Sequence, residues 1–259
     1  MNASRDVKAL VLAGARSSGD PLCDHEGVDT KALIEIGNAP MIAHVIQALK
    51  GSNASAPIYV LGGDKGLLEA ALHDQDIAHI DATGAGPAAS LANALGAGVS
   101  TPLLVTTCDH PLLTHEIVEH FVTASRESGA DICVGFARRA TIEATFPGSR
   151  RTYLPFGSRD FSGCNLFYLA NERAAGALEA WKTVEAERKR PWRMARRLGL
   201  GFLLRMFFAK HSTDRVFALL SRRFGTHVRP VVLPFAEAAV DVDTVDDLTQ
   251  VRAIIDSRH

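Results

Sequence analysis

Cysteine is scarce in this sequence, and the spacing of the few cysteines excludes two kinds of site. The 259 residues contain only Cys23, Cys108, Cys133 and Cys164, and no two of them form a CxxC pair. A structural zinc site usually needs closely spaced ligand pairs, so we do not expect one. A disulfide spacing pattern is also missing, which is typical of proteins from a reducing cytoplasm.

Strong net charge and long apolar runs are missing as well. Lys and Arg number 28 against 29 Asp and Glu, a net charge of −1 that gives no general case for binding nucleic acid. No apolar run reaches the roughly 18 residues that cross a bilayer, and the first residues lack the apolar core of a signal peptide. We therefore expect a soluble, cytoplasmic protein. Since 47% of the residues are hydrophobic, we predict one domain over residues 1–259.

What the sequence does contain is an alternation of β-type runs and helical patterns. The predicted strands are 7–12, 58–61, 77–80, 103–107, 131–136, 165–169 and 228–233. The predicted helices are 39–49, 66–72, 88–98, 115–128, 171–187 and 244–255. This rhythm predicts an α/β fold in which a mostly parallel sheet has helices on both faces. Ligands of such sheets bind beyond the carboxyl ends of the strands.

The loop after the first predicted strand has the features of a phosphate-binding site. The strand ends at Ala13-Gly14, and the polar loop that follows contains Arg16 and Lys31. Backbone N–H groups and cations at such a position can contact the phosphates of a nucleoside triphosphate. The loop is not a Walker A motif, because no GK[ST] follows the glycine. A lone lysine is usually a solvated surface residue, but the glycine-containing loop favours a functional interpretation here.

Carboxylates follow two other predicted strands. Asp109 lies in a TTCDHP turn directly after strand 103–107, where it could bind a divalent cation or simply stabilise the turn. Asp241 and Asp243 precede the last helix, and an ordinary N-cap would explain them if they are taken alone. Mg²⁺ usually binds through one or two carboxylates together with substrate phosphates. Asp109 and Asp243 would supply that arrangement if the two chain segments are close.

Two further features have both a functional and a structural interpretation. Gly84, Gly86 and Pro87 form a tight loop before a helix, which could let the backbone approach a nucleotide base or could be only a turn and a helix start. His110 is next to the candidate metal aspartate. A hydrogen-bonded turn histidine is the favoured interpretation, ahead of a general base.

Four ordered segments resemble the signature of a known family. LAGARSSGDPL…TKAL…GNAPMI resembles the nucleotide-binding LAGG-x-S-x-RMG…KAL…PMI signature, and GPAASLANAL resembles a GP-x-x-G-x-x-x-AL loop and helix. LLVTTCDHPLLT resembles an apolar strand with a metal aspartate, and DVDTVDDL resembles a closing D-x-DTPEDL segment. Each motif alone is weak, but the ordered set spans roughly residues 7–255 and is specific. On these motifs the chain resembles the MobA-like NTP transferases among the GT-A-like nucleotidyltransferases, which include molybdenum-cofactor guanylyltransferase and, more distantly, cytidylyltransferases.

The resemblance implies a Rossmann-like, three-layer α/β/α fold and a nucleotidyl transfer reaction. An NMP would be transferred from an NTP to a phosphorylated acceptor, with release of pyrophosphate. GTP and CTP are the favoured NTPs, and the acceptor would be a small molecule or a lipid precursor. It implies Mg²⁺ held by Asp109 and Asp243, and acceptor binding near Gly163 and Asn165. The implied catalytic residues are Lys31, Arg16 and Asp109. The implied nucleotide-binding residues are Leu12, Ala13, Gly14, Ala15, Lys31, Gly84, Gly86 and Pro87.

The sequence also departs from the family pattern. Ala15 stands where the second loop glycine is usual, and a longer SSGDPLCDHEGVDT stretch replaces the RMG element. Thr30, not Asp, precedes the candidate lysine, and Val245 replaces the usual proline. These departures leave the metal pair intact and the identities of nucleotide and acceptor open.

Residues 182–226 are predicted to form a basic helical insertion before the last strand and helix. Cations crowd the first half, and the apolar run GLGFLLRMFF that follows is too short to span a bilayer. The favoured interpretation is a helical appendage that packs on the domain or on a second subunit of a homodimer. The alternatives are a lid over an anionic acceptor and an amphipathic helix at 189–210 in peripheral contact with a membrane.

Two other functions compete with the nucleotidyltransferase hypothesis. The first is a non-catalytic, nucleotide-binding regulatory protein on the same fold, which would not need Lys31, Asp109 and Asp243 together. The second is a GT-A glycosyltransferase, which usually has a D-x-D motif after a central strand. Asp109 is followed by His110-Pro111 instead, so the sequence disfavours this alternative.

Overall fold

A seven-stranded sheet forms the centre of the molecule. The computed structural model describes residues 7–14, 19–52, 54–149, 151–154, 160–187 and 212–258. The strands are β1 (Val7–Leu12), β2 (Glu35–Ile36), β3 (Ala39–Pro40), β4 (Ala54–Leu61), β5 (Ile77–Ile80), β6 (Leu103–Thr107), β7 (Ile132–Arg138), β8 (Phe161–Leu169) and β9 (Val228–Leu233). The α-helices are α1 (Pro21–Glu26), α2 (Met41–Gly51), α3 (Lys65–Ala71), α4 (Pro87–Gly96), α5 (His115–Glu127), α6 (Arg139–Thr145), α7 (Ala174–Glu187), α8 (Thr213–Phe224) and α9 (Val245–Asp256).

The order of the strands confirms the predicted, mostly parallel mixed sheet. The order is β5-β4-β1-β6-β8-β7-β9, and β2 and β3 form a separate two-stranded hairpin. β8 is antiparallel to both of its neighbours, whereas the other pairs of the main sheet are parallel. The start of β8 therefore lies at the same edge as the carboxyl ends of β1, β6 and β7.

Helices cover both faces of this sheet, which explains why its central strands are apolar almost throughout. Ile46 of α2 and Phe121 of α5 belong to the core on one face. Leu91 of α4, Leu178 of α7 and Phe217 of α8 belong to the core on the other. The predicted three-layer α/β/α architecture is confirmed.

A third, smaller core attaches the last helix to the loop region after β1. It joins buried residues of α1, of the β2–β3 hairpin and of α9, among them Leu22, Ile36, Val242 and Leu248. Burial of these side chains fixes the C-terminal segment next to the N-terminal loop, although the two are more than 200 residues apart in the chain. This packing positions the candidate site.

The polar stretch after β1 was predicted to be a loop, and this prediction was wrong for six residues, which form the helix α1. The Asp20 carboxylate accepts a hydrogen bond from the Leu22 N–H, Pro21 occupies the first turn, and Gly27 ends the helix with a left-handed φ of 69°. An Asp-Pro start and a glycine end are ordinary helix signals that the loop composition concealed. α6 was also not predicted, and β8 begins four residues before the predicted Asn165 start, at Phe161.

Only part of the basic insertion belongs to the described residues. α7 ends at Glu187 and α8 begins at Thr213, while residues 188–211, including the proposed membrane-contact segment, lie outside. Among the described helices, none combines the length and apolar character needed to cross a bilayer.

Candidate functional site

The loops after β1 and β4 meet tightly at the carboxyl edge of the sheet. The Ala13 N–H donates to the Leu61 carbonyl at 2.8 Å, which carries the parallel pairing past the end of β1. Gly62 follows with a φ of 88°, and a Cβ there would lie 3.1 Å from the Gly14 Cα. A side chain at Gly62 would therefore be strained by this φ and would press against the loop after β1. Leu12, Ala13 and Gly14 thus form a floor of closely packed backbone, as expected for a nucleotide-binding edge.

Asp109 is held in the turn after β6. The Cys108 N–H donates to the Leu12 carbonyl at 3.1 Å, so the turn begins beside the end of β1. The Thr107 hydroxyl donates a short hydrogen bond to Asp109 Oδ1. The Asp109 side chain is 21% exposed, which leaves it accessible to a ligand.

The Asp109 turn is bonded directly to the segment that contains Asp243. The Val242 N–H donates to the Asp109 carbonyl at 2.9 Å. Val242 itself is fully buried in the third core, so the bond is shielded from water. This contact places side by side the two chain segments that contain Asp109 and Asp243, whose shared metal ion stays a prediction.

Lys31 lies at the centre of the same cluster of acidic groups. Its Nζ is 2.6 Å from Asp243 Oδ1, 3.3 Å from the Val242 carbonyl and 3.7 Å from Asp20 Oδ2. The side chain is only 13% exposed. Burial works against the charge, but the hydrogen bond to Asp243 and the carboxylates of Asp20 and Asp109 outweigh it and raise the pKa of the Lys31 ammonium above its usual value. Lys31 is a fixed cation at neutral pH.

Asp241 adds a further carboxylate to this site. Burial raises the pKa of Asp241, and the neighbouring carboxylates of Asp109 and Asp243 raise it further, while His110 and Arg151 oppose the increase. The Asp241 carboxyl is therefore influenced by the negative charge of both neighbouring aspartates.

Sequence reasoning missed Arg151. Its Nη1 is 2.7 Å from Asp241 Oδ1, its Nη2 is 2.9 Å from Asp247 Oδ1, and its side chain is 5% exposed. The only sequence signal is an arginine in a Gly-, Ser- and Arg-rich stretch, a composition that is typical of an irregular loop. An ion pair between residues about 90 positions apart leaves no local pattern.

His110 has the structural environment of a turn residue. Its side chain is 2% exposed, and its Nε2 is 2.9 Å from the Asn165 amide nitrogen. Asn165 has a left-handed φ of 48°, which is uncommon for a residue with a side chain. Gly163, two residues earlier in β8, is exposed, and no atom lies within 4 Å of where its Cβ would be. The acceptor-binding role of Gly163 and Asn165 stays a prediction.

The loop before α4 folds back over the start of that helix. The Gly84 N–H donates to the Ser90 hydroxyl at 2.9 Å, and a Cβ on Gly84 would lie 2.7 Å from the Ala89 Cβ. Any side chain at Gly84 would clash with the start of α4, so local packing explains why this residue is a glycine. Gly86 has ordinary extended backbone, and Pro87 is the first residue of α4, a position that suits proline. Their predicted contact with a nucleotide base is untested.

The structure does not place every predicted residue. Arg16 and Ala15 lie outside the described residues, so their predicted contacts with the nucleotide remain predictions. Within the described ranges, no three or more His, Cys, Asp or Glu side chains are arranged to hold a metal ion on their own. Asp109 and Asp243 offer hard oxygen ligands, and this donor set suits Mg²⁺ when substrate phosphates complete its coordination.

The fold and the site together define a class of protein. A largely parallel α/β sheet binds its ligands beyond the carboxyl ends of the strands, and this edge here carries a fixed lysine and several carboxylates. Residues 9–198 match the MobA-like NTP transferase domain, and the chain belongs to this family.

Individual relatives agree with this assignment. The molybdenum cofactor guanylyltransferase of Shewanella loihica is 27% identical over 165 residues, which cover 60% of this chain and 79% of that protein. Three other Shewanella proteins of the same name match over only 61% to 63% of their length. A solved structure titled as a hypothetical transferase from Thermus thermophilus has a TM-score of 0.76 and 31% identity, and the match covers 93% of this chain and 99% of that one.

A more distant structure shares the fold. The structure titled as CMP:2-keto-3-deoxy-manno-octonic acid synthetase complexed with CTP has a TM-score of 0.61 at 15% identity, over 98% of this chain and 99% of that one. The family and its shared fold confirm the resemblance drawn from the four sequence motifs.

Proposed function

We propose that the protein is a Mg²⁺-dependent nucleotidyltransferase. It transfers an NMP from an NTP to a phosphorylated acceptor and releases pyrophosphate. The observation that supports this proposal is the convergence of three groups distant in sequence. Asp109 is joined through its carbonyl to the Val242 N–H, and Asp243 is joined through its carboxylate to Lys31.

The reaction asks for positioning and charge neutralisation. An oxygen of the acceptor phosphate attacks the α-phosphorus, a new P–O bond forms, and the bond to the β-phosphate bridging oxygen breaks. Mg²⁺ held by Asp109 and Asp243 would neutralise charge on the phosphates during this displacement. Lys31, as a permanent cation at the same place, stabilises negative charge that develops on the leaving pyrophosphate. The closely packed backbone of residues 12–14 orients the nucleotide.

The chain does not need a general base for this chemistry. A phosphorylated acceptor is already an anion at neutral pH, so no proton has to be removed from it before attack. His110 supports this view, because its Nε2 is occupied by Asn165 and its side chain is buried. Its role is to hold β8 against the turn that carries Asp109.

GTP and CTP are the proposed nucleotides. The guanylyltransferase names of the sequence relatives favour GTP, and the CTP complex of the structural relative shows that this fold also accommodates CTP. The acceptor is proposed to be a phosphorylated small molecule or a lipid precursor.

Substitution of Asp109 tests the proposal. We expect Asp109→Asn to lower the rate of NTP-dependent pyrophosphate release by at least about 100-fold, since the neutral amide loses the charge that holds the metal. The assay supplies ATP, CTP, GTP or UTP with Mg²⁺ and a panel of phosphorylated acceptors, and pyrophosphatase converts the product to measurable phosphate. Asp74→Asn, which changes an exposed aspartate between α3 and β5, is the control.

The same assay separates the competing functions. Full pyrophosphate release by folded Asp109→Asn would refute the metal assignment. Nucleotide binding without turnover on every acceptor would favour the regulatory alternative. Turnover of nucleotide sugars but not of NTPs would favour the glycosyltransferase.

A further inference from the structure

Arg151 makes more specific contacts than a surface arginine needs. Its Nε donates to the Ser149 hydroxyl at 3.1 Å. One Nη donates to both the carboxylate and the carbonyl of Asp241, at 2.7 and 3.1 Å, and the other donates to Asp247 Oδ1 at 2.9 Å. A buried guanidinium with this many acceptors is held in one orientation.

The two aspartates that Arg151 bridges lie on either side of Asp243. Asp241 is two residues before it, and Asp247 is four residues after it. Asp247 uses its second oxygen, Oδ2, to accept from the Thr244 N–H at 3.0 Å and from the Thr244 hydroxyl at 2.7 Å. This capping box fixes the residue that directly follows Asp243. Arg151 therefore supports both ends of the short segment that presents the Asp243 carboxylate.

Arg151 also supplies a positive charge among the neighbouring aspartates. Asp241 and Asp243 are two residues apart, so their like charges repel one another, and the Lys31 ammonium contacts the Asp243 carboxylate directly. Pairing with Arg151 removes Asp241 from competition for a cation. Without the arginine, the half-buried Asp241 carboxylate would lose this partner and would repel the nearby Asp243 carboxylate.

We infer that Arg151 is a positioning residue for the metal site: it holds the segment 241–244 so that Asp243 and Asp109 face the same divalent cation. This inference rests on the proposed function, because it assumes that the two aspartates bind a metal. Groups that orient metal ligands from behind commonly change metal affinity or activity by roughly 10- to 100-fold when they are lost.

The test measures binding of Mn²⁺ alone, followed by the loss of its free-ion electron paramagnetic resonance signal. We expect Arg151→Gln to weaken Mn²⁺ binding by about 10-fold or more, and to raise the Mg²⁺ concentration needed for half-maximal pyrophosphate release to a similar degree. Arg252→Gln is the matched control. Arg252 also bridges acidic and carbonyl groups, Glu26 and the Glu35 carbonyl, but it does so away from the metal segment.

A role limited to folding would lower the melting temperature of both variants and leave Mn²⁺ affinity unchanged in both. That result, or equal loss of Mn²⁺ affinity in both, would overturn the inference. If Arg151→Gln does not fold, Arg151→Lys and Asp247→Asn are measured under the same criterion, since each breaks the bridge and keeps most of the packing. Failure of the unmodified protein to bind Mn²⁺, both alone and together with a non-hydrolysable NTP analogue, would instead reject the metal site of the proposed function, and this inference with it.

Discussion

Lys31 is the residue whose environment most directly links structure to the proposed chemistry. Its ammonium is held between carboxylates in a mostly buried site, so its position and charge are set before any nucleotide binds. We expect Lys31→Met to lower kcat by about 100- to 1000-fold, the usual loss when one preorganised stabilising group is removed. Lys65→Met is the control, because Lys65 forms an exposed ion pair with Glu69 on α3.

The pKa of Lys31 gives this prediction a pH dependence. The folded protein raises the pKa of Lys31, so the ion pair stabilises the fold fully below the ordinary lysine pKa of about 10.4 and loses that effect as pH rises through the higher folded value. The difference in unfolding free energy between the unmodified protein and Lys31→Met should therefore be constant from about pH 7 to 10. Urea titrations across this range measure it. A difference that disappears near pH 8 would contradict the raised pKa.

At the scale of elements, most of the fold could be predicted from sequence. The predicted bounds of β1, β5, β6 and β9 are confirmed, because each is a short apolar run between clear turn signals. α1 could not be recognised in a stretch whose composition resembles a loop. The Arg151 network could not be found at all, since it depends on tertiary packing between residues with no local periodicity. Asp109 could be proposed because it directly follows β6, whose end was predicted correctly. Lys31 and Asp243 could be proposed because the glycine-containing loop after β1 and the acidic segment before the last helix resemble family motifs.

Asp131 joins three elements at the edge of the sheet and provides a prediction at this scale. Its Oδ2 accepts from the His227 N–H at 2.9 Å, and its Oδ1 accepts from the Asn171 amide at 2.8 Å, which ties β7 to the starts of β9 and α7. We expect Asp131→Ala to cost about 1.5–3 kcal/mol of unfolding free energy, as is usual for hydrogen bonds to a charged group. Urea unfolding at pH 7 measures the cost.

The unfolding free energy at acid pH tests the same contacts of Asp131. The hydrogen bond from Asn171, together with the His227 N–H, lowers the pKa of the Asp131 carboxyl. A carboxyl whose pKa is lowered by folding stabilises the fold at pH values above its ordinary pKa of about 3.9. This stabilisation is lost as pH falls through the lower pKa of the folded state. The difference in unfolding free energy between the unmodified protein and Asp131→Ala should therefore become smaller as pH falls from about 4 to about 2. An unchanged difference would mean that the contacts do not depend on the charge.

For the whole molecule, nucleotide binding should be coupled to global stability. The candidate site joins the loop after β1, the turn after β6 and the start of α9, so a ligand that contacts all three binds only the folded state. At 100 times its dissociation constant, such a ligand stabilises the folded state by about 2.7 kcal/mol, which raises Tm by roughly 5–11 °C in a protein of this size. We expect GTP or CTP with Mg²⁺ to produce this shift in a thermal unfolding assay. A similar shift in Lys31→Met would show that the nucleotide binds elsewhere.

The position of a bound ion tests the central claim most directly. Crystals grown with Mn²⁺ and non-hydrolysable analogues of GTP or CTP would locate the metal by its anomalous scattering. We expect one ion within about 2.3 Å of a carboxylate oxygen of both Asp109 and Asp243, with the phosphates against Lys31. An ion bound away from these two carboxylates, or phosphates on the opposite edge of the sheet, would contradict it.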